Sequence, residues 1–405
     1  MNIIQKEPVI KCHFNETDGR SHSNGFGIAN SEIARTVLHF HKSLPGYSPT
    51  PLIRLSVLAE HLGVGEIFIK DESKRFGLNA FKGLGASYAM ARAILSELKL
   101  DLKEFTFDEI LLHSREISHL TFVTATDGNH GRAVAWGANK LGCNAVVFMP
   151  KGSSKARLQA IRLLGAKASI LDCNYDEAVM FAAKEAKEND WILMQDTAWP
   201  GYDKIPLHIM QGYFTLLTEV ISQKKDVWPT HVFMQAGVGS LAAAIFAFLC
   251  SFFEKPKPIF VLVEATGAPC FFESMEIGDG NPHTVHGDLK TIMAGLACGK
   301  PSQIGWDILK SGANAFAVCS DEVTKKGMRI LGNPMGNDSR IISGESGAVT
   351  LGLVYYLLCD KKYKDFKNRL KIDNESKILL FSTEGDTDPQ SYRKVVWSNS
   401  DQSRC

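Results

Sequence analysis

The 405-residue sequence lacks the features that would assign it to a membrane or to nucleic acid. Its net charge is only +1, so it has no basic field for nucleic acid. The longest apolar run, Leu241 to Phe253, is well short of the roughly 20 residues that span a bilayer. The first residues also lack the apolar core of a signal peptide. We therefore expect no nucleic-acid or membrane partner, and a cytoplasmic location.

The cysteines do not have the spacing of metal ligands. There are nine, scattered without a C-x-x-C pair or the spacing of a zinc site. This pattern is typical of a reducing compartment and predicts no metal centre. Cys270 and Cys298 flank one polar loop, and their spacing leaves open whether they pair.

What the sequence does have is the composition and the alternation of an α/β protein. Hydrophobic content of 45% and charged content of 22% are ordinary for a globular chain, and the length suggests two domains. From Leu120 onward, short continuous apolar runs alternate with helical patterns, which indicates parallel sheets covered on both faces. Helices are predicted over Asn30 to His41, with Ser31 as the N-cap, and over Pro206 to Ser222. The charged segment 99–120 is predicted to be an irregular surface excursion.

Parallel sheets place their functional sites at the carboxyl ends of strands. The segment Asn79-Ala80-Phe81-Lys82-Gly83 follows a predicted strand and precedes a helical pattern, so Lys82 lies at a loop-to-helix junction beside glycines that permit close approach. A lysine that forms a Schiff base needs such a sheltered place. A solvated lysine in the first turn of a helix is the alternative.

Gly237-Val238-Gly239-Ser240 also joins a strand to a helix, so its backbone amides could hold a phosphate at the helix N-terminus. The same segment fits G-x-G-x-x-A, and Glu264 ends the next strand, where a dinucleotide ribose would be bound. A NAD-dependent dehydrogenase is therefore an alternative at this point.

Three further strand ends carry polar residues. Thr126-Asp127-Gly128-Asn129-His130-Gly131 could hold a carboxylate through its backbone amides, with Asp127 as a helix cap or a functional acid. Ser382 and Thr383 could bond a heteroaromatic nitrogen or merely the local backbone. Asp196 ends a strand and could meet a cationic group of a substrate.

Taken together and in order, these segments resemble the fold type II pyridoxal-phosphate enzymes, the tryptophan synthase β and threonine dehydratase group. Within that group the chain resembles the diaminopropionate ammonia-lyase family, from about Tyr47 to Tyr392. The resemblance implies two doubly wound α/β domains with pyridoxal 5'-phosphate in the cleft between them, and a homodimer. The large domain would comprise 1–84 and 177–405, and the small mobile domain 85–176.

The resemblance also implies roles for individual residues. Lys82 would carry the cofactor as an internal aldimine, and Asn129 would contact its ring oxygen. Ser382 is the first choice for the partner of the pyridine nitrogen, with Thr383 next. Phosphate contacts would come from Gly237, Val238, Gly239 and Ser240; substrate contacts from Thr126, Asp127, Gly128, His130 and Asp196; and catalysis from Lys82, Asp127 and Asp196.

The reaction implied is a pyridoxal-phosphate-dependent α,β-elimination that converts D- and L-2,3-diaminopropionate to pyruvate and two molecules of ammonia. Asp127, on the face opposite Lys82, would allow both isomers to react. A serine or threonine dehydratase, whose substrates carry a hydroxyl group instead of the β-amine, is the alternative within the group.

Overall fold

The computed structural model describes residues 7–16, 27–126, 128–224, 228–252 and 256–397. The strands are β1 (Ile10–Phe14), β2 (Leu52–Arg54), β3 (Glu66–Asp71), β4 (Thr121–Ala125), β5 (Asn144–Met149), β6 (Lys167–Ile170), β7 (Ile192–Leu193), β8 (His231–Gln235), β9 (Ile259–Ala265), β10 (Ala315–Cys319) and β11 (Lys377–Ser382). The first helices are α1 (Ser31–Ser43), α2 (Ser56–Leu62), α3 (Lys82–Glu97), α4 (Phe107–Leu111), α5 (Ser114–Ile117), α6 (Asn129–Leu141), α7 (Lys155–Arg162) and α8 (Tyr175–Asn189). They are followed by α9 (Lys204–Gly212), α10 (Phe214–Gln223), α11 (Ser240–Phe252), α12 (Cys270–Ile277), α13 (Gln303–Gly312), α14 (Asp321–Gly332), α15 (Glu345–Cys359), α16 (Lys364–Arg369) and α17 (Pro389–Trp397).

The strands form two separate sheets. The larger has seven strands in the order β1-β10-β9-β8-β11-β3-β2, and the smaller has four in the order β6-β5-β4-β7. Neighbouring strands are parallel except at the two edges of the larger sheet, where β1 and β2 run antiparallel to their partners. The predicted α/β class with parallel sheets is confirmed.

Both faces of the larger sheet are covered because its central strands are apolar on both sides. In β9, Phe260 and Leu262 belong to one hydrophobic cluster, whereas Val261 and Val263 belong to another. Helices α1, α3 and α9 to α13 supply the first cluster, and α2 and α14 to α17 supply the second. The first cluster continues through α3 and α6 to the smaller sheet, whose other face is covered by α8.

The sheet topology bears on the predicted domain boundaries. Helix α3 begins at Lys82 and so spans the predicted junction at 84/85. Strand β7 lies beyond residue 177 but pairs with β4 in the smaller sheet. We therefore propose that the smaller unit continues past 176 and ends after β7.

Several local predictions need correction. The cap of α1 is Asn30, whose Oδ1 accepts a hydrogen bond from Ile33 N at 2.8 Å, and Ser31 is the first helical residue. The segment 99–120 is not an irregular excursion, because it contains α4 and α5. It also buries four apolar side chains that its charged residues obscured, namely Phe105, Phe107, Ile110 and Ile117.

The predicted helix from Pro206 to Ser222 is two helices, α9 and α10, with Tyr213 between them. Close packing on α3 explains the break. A Cβ atom built on Gly212 would lie 2.6 Å from the carbonyl oxygen of Leu84, so the chain can approach α3 here only as glycine.

None of the helices within the described ranges is both long and apolar enough to cross a membrane.

Candidate active site

A cleft opens where the carboxyl ends of β4, β8 and β11 meet the N-termini of α3, α6 and α11. The described residues that line it are Phe81 and Lys82; Thr126, Asn129 and His130; Tyr175; Asp196; Tyr213; Gln235 to Ala242; Ala294 to Cys298; Ser346; and Thr383 and Glu384.

Lys82 is held at the cleft by the chain that precedes it. After β3 the backbone turns sharply, and Phe76 and Asn79 both take positive φ values, 52° and 57°. Ala80 then forms an isolated antiparallel bridge with Glu384, and Phe81 N donates a hydrogen bond to Thr383 O at 3.1 Å. The segment just before α3 is thereby fastened to the end of β11.

The Lys82 amine forms an ion pair with Asp196 inside the cleft. Nζ donates a hydrogen bond to Oδ2, and the side chains are 18% and 5% exposed, respectively. Burial would raise the pKa of Asp196, but Lys82, and to a smaller extent His130, outweigh that effect and lower it to about 2. Asp196 is therefore an anion at neutral pH, and it can bind an ammonium group.

His130 lies beside this pair. Its Nε2 is 2.7 Å from the carbonyl oxygen of Met194, and since a carbonyl can only accept, Nε2 carries the proton of the neutral ring. Nδ1 faces Asp196 Oδ2 at 3.9 Å. The ring is thus held in one tautomer, next to the charge that the cleft presents.

Asn129, the first residue of α6, connects the two sheets. Its Nδ2 donates a hydrogen bond to Oε2 of Glu384, whose Oε1 accepts one from Ser346 N at 3.0 Å. The carboxylate fixes which end of the amide is the donor, so the second N–H of Nδ2 is available to an acceptor in the cleft.

The rest of the predicted turn is only partly described. Thr126 lines the cleft, and its Oγ1 accepts a hydrogen bond from Gly128 N at 2.9 Å. Gly128 has φ 153° and is not among the described lining residues; a Cβ atom built on it would lie 2.8 Å from Arg157 Cδ. Asp127 lies outside the described residues.

The glycine turn before α11 is shaped for an anion. Gly239 has φ 88°, and a Cβ atom there would lie 2.3 Å from Phe271 Cζ, while one on Gly237 would lie 2.8 Å from Gly295 O. Only glycine fits at both places, which leaves the backbone amides of the turn close to whatever the helix N-terminus binds. Ser240 Oγ donates to the carbonyl oxygen of Asp196 at 2.5 Å, so the turn and Lys82 both adjoin Asp196.

The structure places Thr383, not Ser382, in the cleft. Side chains alternate along β11, and Phe381 faces the α3 side of the sheet, so Ser382 points to the opposite face. Thr383 faces the cleft, where its Oγ1 accepts a hydrogen bond from Gln235 Nε2 at 2.8 Å. Of the two predicted hydroxyls, the second choice, Thr383, is thus the one that lines the cleft, and its bond to the pyridine nitrogen stays a prediction.

The lining residues that were not predicted include Gln235, Tyr175 and Tyr213. Gln235 could have been found, because it is the polar end of an otherwise apolar strand. Tyr175 is the first residue of α8, and nothing in the sequence of that helix indicates a functional site. Its hydroxyl accepts a hydrogen bond from Gln195 Nε2 at 3.0 Å. Tyr213 falls within the predicted uninterrupted helix, and nothing in the local pattern marks it.

Glu264 does not have the role that a dehydrogenase would require. It is completely buried, and its two oxygens accept hydrogen bonds from Phe271 N at 2.8 Å and Phe272 N at 2.7 Å. The carboxyl group therefore caps α12 and is not exposed to a ribose. This excludes the dinucleotide interpretation of the glycine turn.

The same cleft fits pyridoxal phosphate. Lys82 offers an amine for the aldehyde, the turn from Gly237 to Ser240 offers a phosphate cradle, and Asn129 and Thr383 offer hydrogen-bonding groups for the ring substituents. The described cysteines form no disulfide. Cys270 Sγ lies 3.8 Å from Gly237 O, so it packs beneath the cradle.

Comparisons with known proteins agree with this geometry. Residues 44–369 match the family model described as pyridoxal-phosphate dependent enzyme. Diaminopropionate ammonia-lyase of Salmonella typhimurium is 46% identical, over 96% of this chain and 98% of that protein.

Two crystal structures of diaminopropionate ammonia-lyase from Escherichia coli are similar at 43% identity, covering 96% of this chain and 97% of theirs. One, in complex with D-serine, has a TM-score of 0.89. The other, in complex with an aminoacrylate–PLP azomethine reaction intermediate, has a TM-score of 0.88. The chain belongs to the pyridoxal-phosphate-dependent enzyme family and, within it, to the diaminopropionate ammonia-lyases.

Proposed function

We propose that this protein is a carbon–nitrogen lyase that eliminates the β-amino group of 2,3-diaminopropionate, in both its D and L forms, to give pyruvate and two molecules of ammonia. The observation that carries the proposal is the buried Asp196 carboxylate, which already binds one ammonium group, that of Lys82, within the cleft. The family membership and the 46% identity to a named diaminopropionate ammonia-lyase support the same substrate.

The chemistry depends on removing the proton from Cα. When bound, pyridoxal phosphate supplies the electron-withdrawing ring that makes this proton acidic. Lys82, at the N-terminus of α3, is placed to take the proton from one face. Asn129 and Thr383 orient the ring through hydrogen bonds, and the turn from Gly237 to Ser240 holds the phosphate.

Asp196 has a separate task. An amide anion is too basic to leave, so the β-nitrogen must depart as neutral ammonia from an ammonium group. The Asp196 carboxylate, which pairs with the Lys82 ammonium in the cleft, can pair in the same way with the β-ammonium group of the substrate. A substrate with a β-hydroxyl group offers no such charge, which is why we assign the site to diaminopropionate rather than to serine.

The first test compares the two substrates in the Asp196→Asn variant. Loss of a charged hydrogen bond should reduce kcat/KM for diaminopropionate by about 10- to 100-fold more than for serine. Pyruvate formation is measured for both, with the wild type loaded with pyridoxal phosphate as reference. An equal loss on both substrates, or faster turnover of serine by the wild type, would remove the assignment to diaminopropionate. Borohydride reduction followed by peptide mapping should label Lys82.

Asp127 is proposed to be the base for the second isomer. Lys82 can reach Cα from one face only, and Asp127 directly follows Thr126 in the sequence, a residue that lines the cleft together with Asn129. Asp127→Asn should therefore lower turnover of D-diaminopropionate by roughly 10²–10⁴-fold while the L isomer is affected far less. Separate rates on the two pure isomers decide the question, and equal losses would refute a second base.

We also propose a cytoplasmic homodimer, which the resemblance and the cysteine pattern support. Sedimentation equilibrium of the purified chain gives the assembly state directly, and a monomeric mass at micromolar concentration would rule out the dimer.

A further inference from the structure

Tyr213 occupies the break between α9 and α10, in contact with the first turn of α3. A Cβ atom built on Gly85 would lie 2.6 Å from its ring, so the ring fits only because residue 85 is glycine. The ring also packs against Phe81, with 4.9 Å between the ring centroids. These contacts hold Tyr213 against the first turn of α3, where Lys82 lies.

The hydroxyl of Tyr213 has no partner among the described residues. The residue is 1% exposed and lines the cleft, and Oη is buried without a hydrogen bond. By contrast, the hydroxyl of the nearby Tyr202 is 2.9 Å from Gln195 N and 2.8 Å from Leu193 O. A buried hydroxyl without a partner is unfavourable, and at a functional site it points to a group that arrives with another state of the protein.

The charges that Tyr213 faces are those of Lys82 and Asp196. Burial raises the pKa of its hydroxyl, which therefore stays protonated and can donate a hydrogen bond. Asp196 now receives its hydrogen bond from Lys82. If Lys82 binds the cofactor, as the proposed function requires, the carboxylate loses this partner while it is still buried.

Among the described residues, Lys82, His130, Tyr202 and Tyr213 interact electrostatically with Asp196. Once Lys82 is engaged, three are left to replace it. Tyr202 already donates to Leu193 O, and the Nε2 proton of His130 is directed to Met194 O, so the ring can donate to Asp196 only from Nδ1 and only when it carries a second proton. The Tyr213 hydroxyl has no such commitment among the described residues and carries its proton at neutral pH.

We propose that the Tyr213 hydroxyl donates a hydrogen bond to Asp196 whenever the Lys82 amine is taken up by the cofactor, and that this keeps Asp196 anionic for the ammonium group of the substrate. Tyr213 is then a positioning residue, which acts on the substrate through Asp196. The step needs no covalent change; it requires the carboxylate to turn from the lysine towards the phenol.

The experiment measures the pKa of Asp196 itself in full-length protein that lacks the lysine. In Lys82→Ala, the carboxyl signal of Asp196 is followed by carbon NMR against pH and is assigned by its loss in Lys82→Ala/Asp196→Asn. Adding Tyr213→Phe, which keeps the ring, should raise the pKa of Asp196 by about one pH unit. The control adds Tyr88→Phe instead. Tyr88 is also a buried tyrosine but lies on α3, and its replacement should leave the pKa of Asp196 unchanged.

Equal titration of Asp196 with and without Tyr213→Phe would overturn the proposal. If the Phe variant is unstable, site-specific 3-fluorotyrosine at position 213 provides a stronger donor and should lower the pKa of Asp196 instead; an unchanged value would again overturn it. Neither measurement needs cofactor or turnover, so failure here is distinct from failure of the proposed lyase activity.

Discussion

At the scale of single residues, burial decides what a carboxyl group can do, and Glu264 is the clearest case. Burial raises the pKa of Glu264 to about 8, although the backbone N–H groups of Phe271 and Phe272 oppose the change. The ordinary pKa of a glutamic acid is 4.5. Between these two values the folded protein therefore binds more protons than the unfolded chain, so the free energy of unfolding falls as pH rises.

Glu264→Gln keeps the shape of the side chain without its titration. Between pH 4.5 and 8 the free energy of unfolding of the variant should fall less than that of the wild type, because the neutral amide does not titrate. Urea unfolding at a series of pH values measures it. Glu97→Gln, at an exposed position of α3, is the control and should keep the wild-type slope. A wild-type slope in Glu264→Gln would contradict the prediction.

At the scale of elements, a group of four buried charges connects β3, the turn after it and α10. Lys70 and Arg75 both bond Glu219, at 2.6 and 2.8 Å, and Arg75 also bonds Glu72 at 2.9 Å. All four side chains are almost completely buried, and their charges cancel. This charge cluster fixes the turn that leads to Lys82.

Removing one member of the charge cluster should be severe. Glu219→Gln leaves buried cations short of a partner and should reduce the free energy of unfolding by about 3–5 kcal/mol. Burial raises the pKa of Glu219, but Arg75 and Lys70 outweigh it and lower the pKa to about 2. The contribution is thus present above pH 4.5 and is lost as pH falls towards 2, so acid unfolding should become less pH-dependent in the variant.

The matched control is the fully exposed ion pair of Lys151 and Asp172. Asp172→Asn removes one charge there without burying its partner, so stability should hardly change. Denaturant unfolding at neutral pH gives the free energy of unfolding of Glu219→Gln and of Asp172→Asn. Similar decreases in the two variants would show that burial of an ion pair does not determine how much its loss destabilises the protein.

At the scale of the whole molecule, the fold class could be predicted because buried parallel strands leave continuous apolar runs. The strand His231–Gln235 was predicted to the residue, and the position of the glycine turn followed from it. The position of Lys82 followed from the strand and the helix predicted on either side of it. The break at Tyr213 could not be predicted, since it lies against Leu84 and Gly85, which are far away in sequence.

Two other features depend on long-range geometry in the same way. The choice between Ser382 and Thr383 depends on which face of a sheet a residue points to at the strand end, and a shift of one residue reverses it. The charge cluster joins Glu219 to residues some 150 positions earlier, a distance that no local pattern spans. The strand ends that line the cleft could therefore be predicted from the sequence, but the long-range contacts that support them could not.

The packing of α3 on α6 limits how the two sheets can move. A Cβ atom built on Gly137 would lie 2.7 Å from Met90 Sδ, and Trp136 stacks on Phe76 with 4.8 Å between ring centroids. An outward rotation of the four-stranded sheet would separate these apolar side chains and expose them to water. We therefore expect the two sheets to move by shear, in which α3 and α6 slide past each other at Gly137 while the apolar contact remains buried.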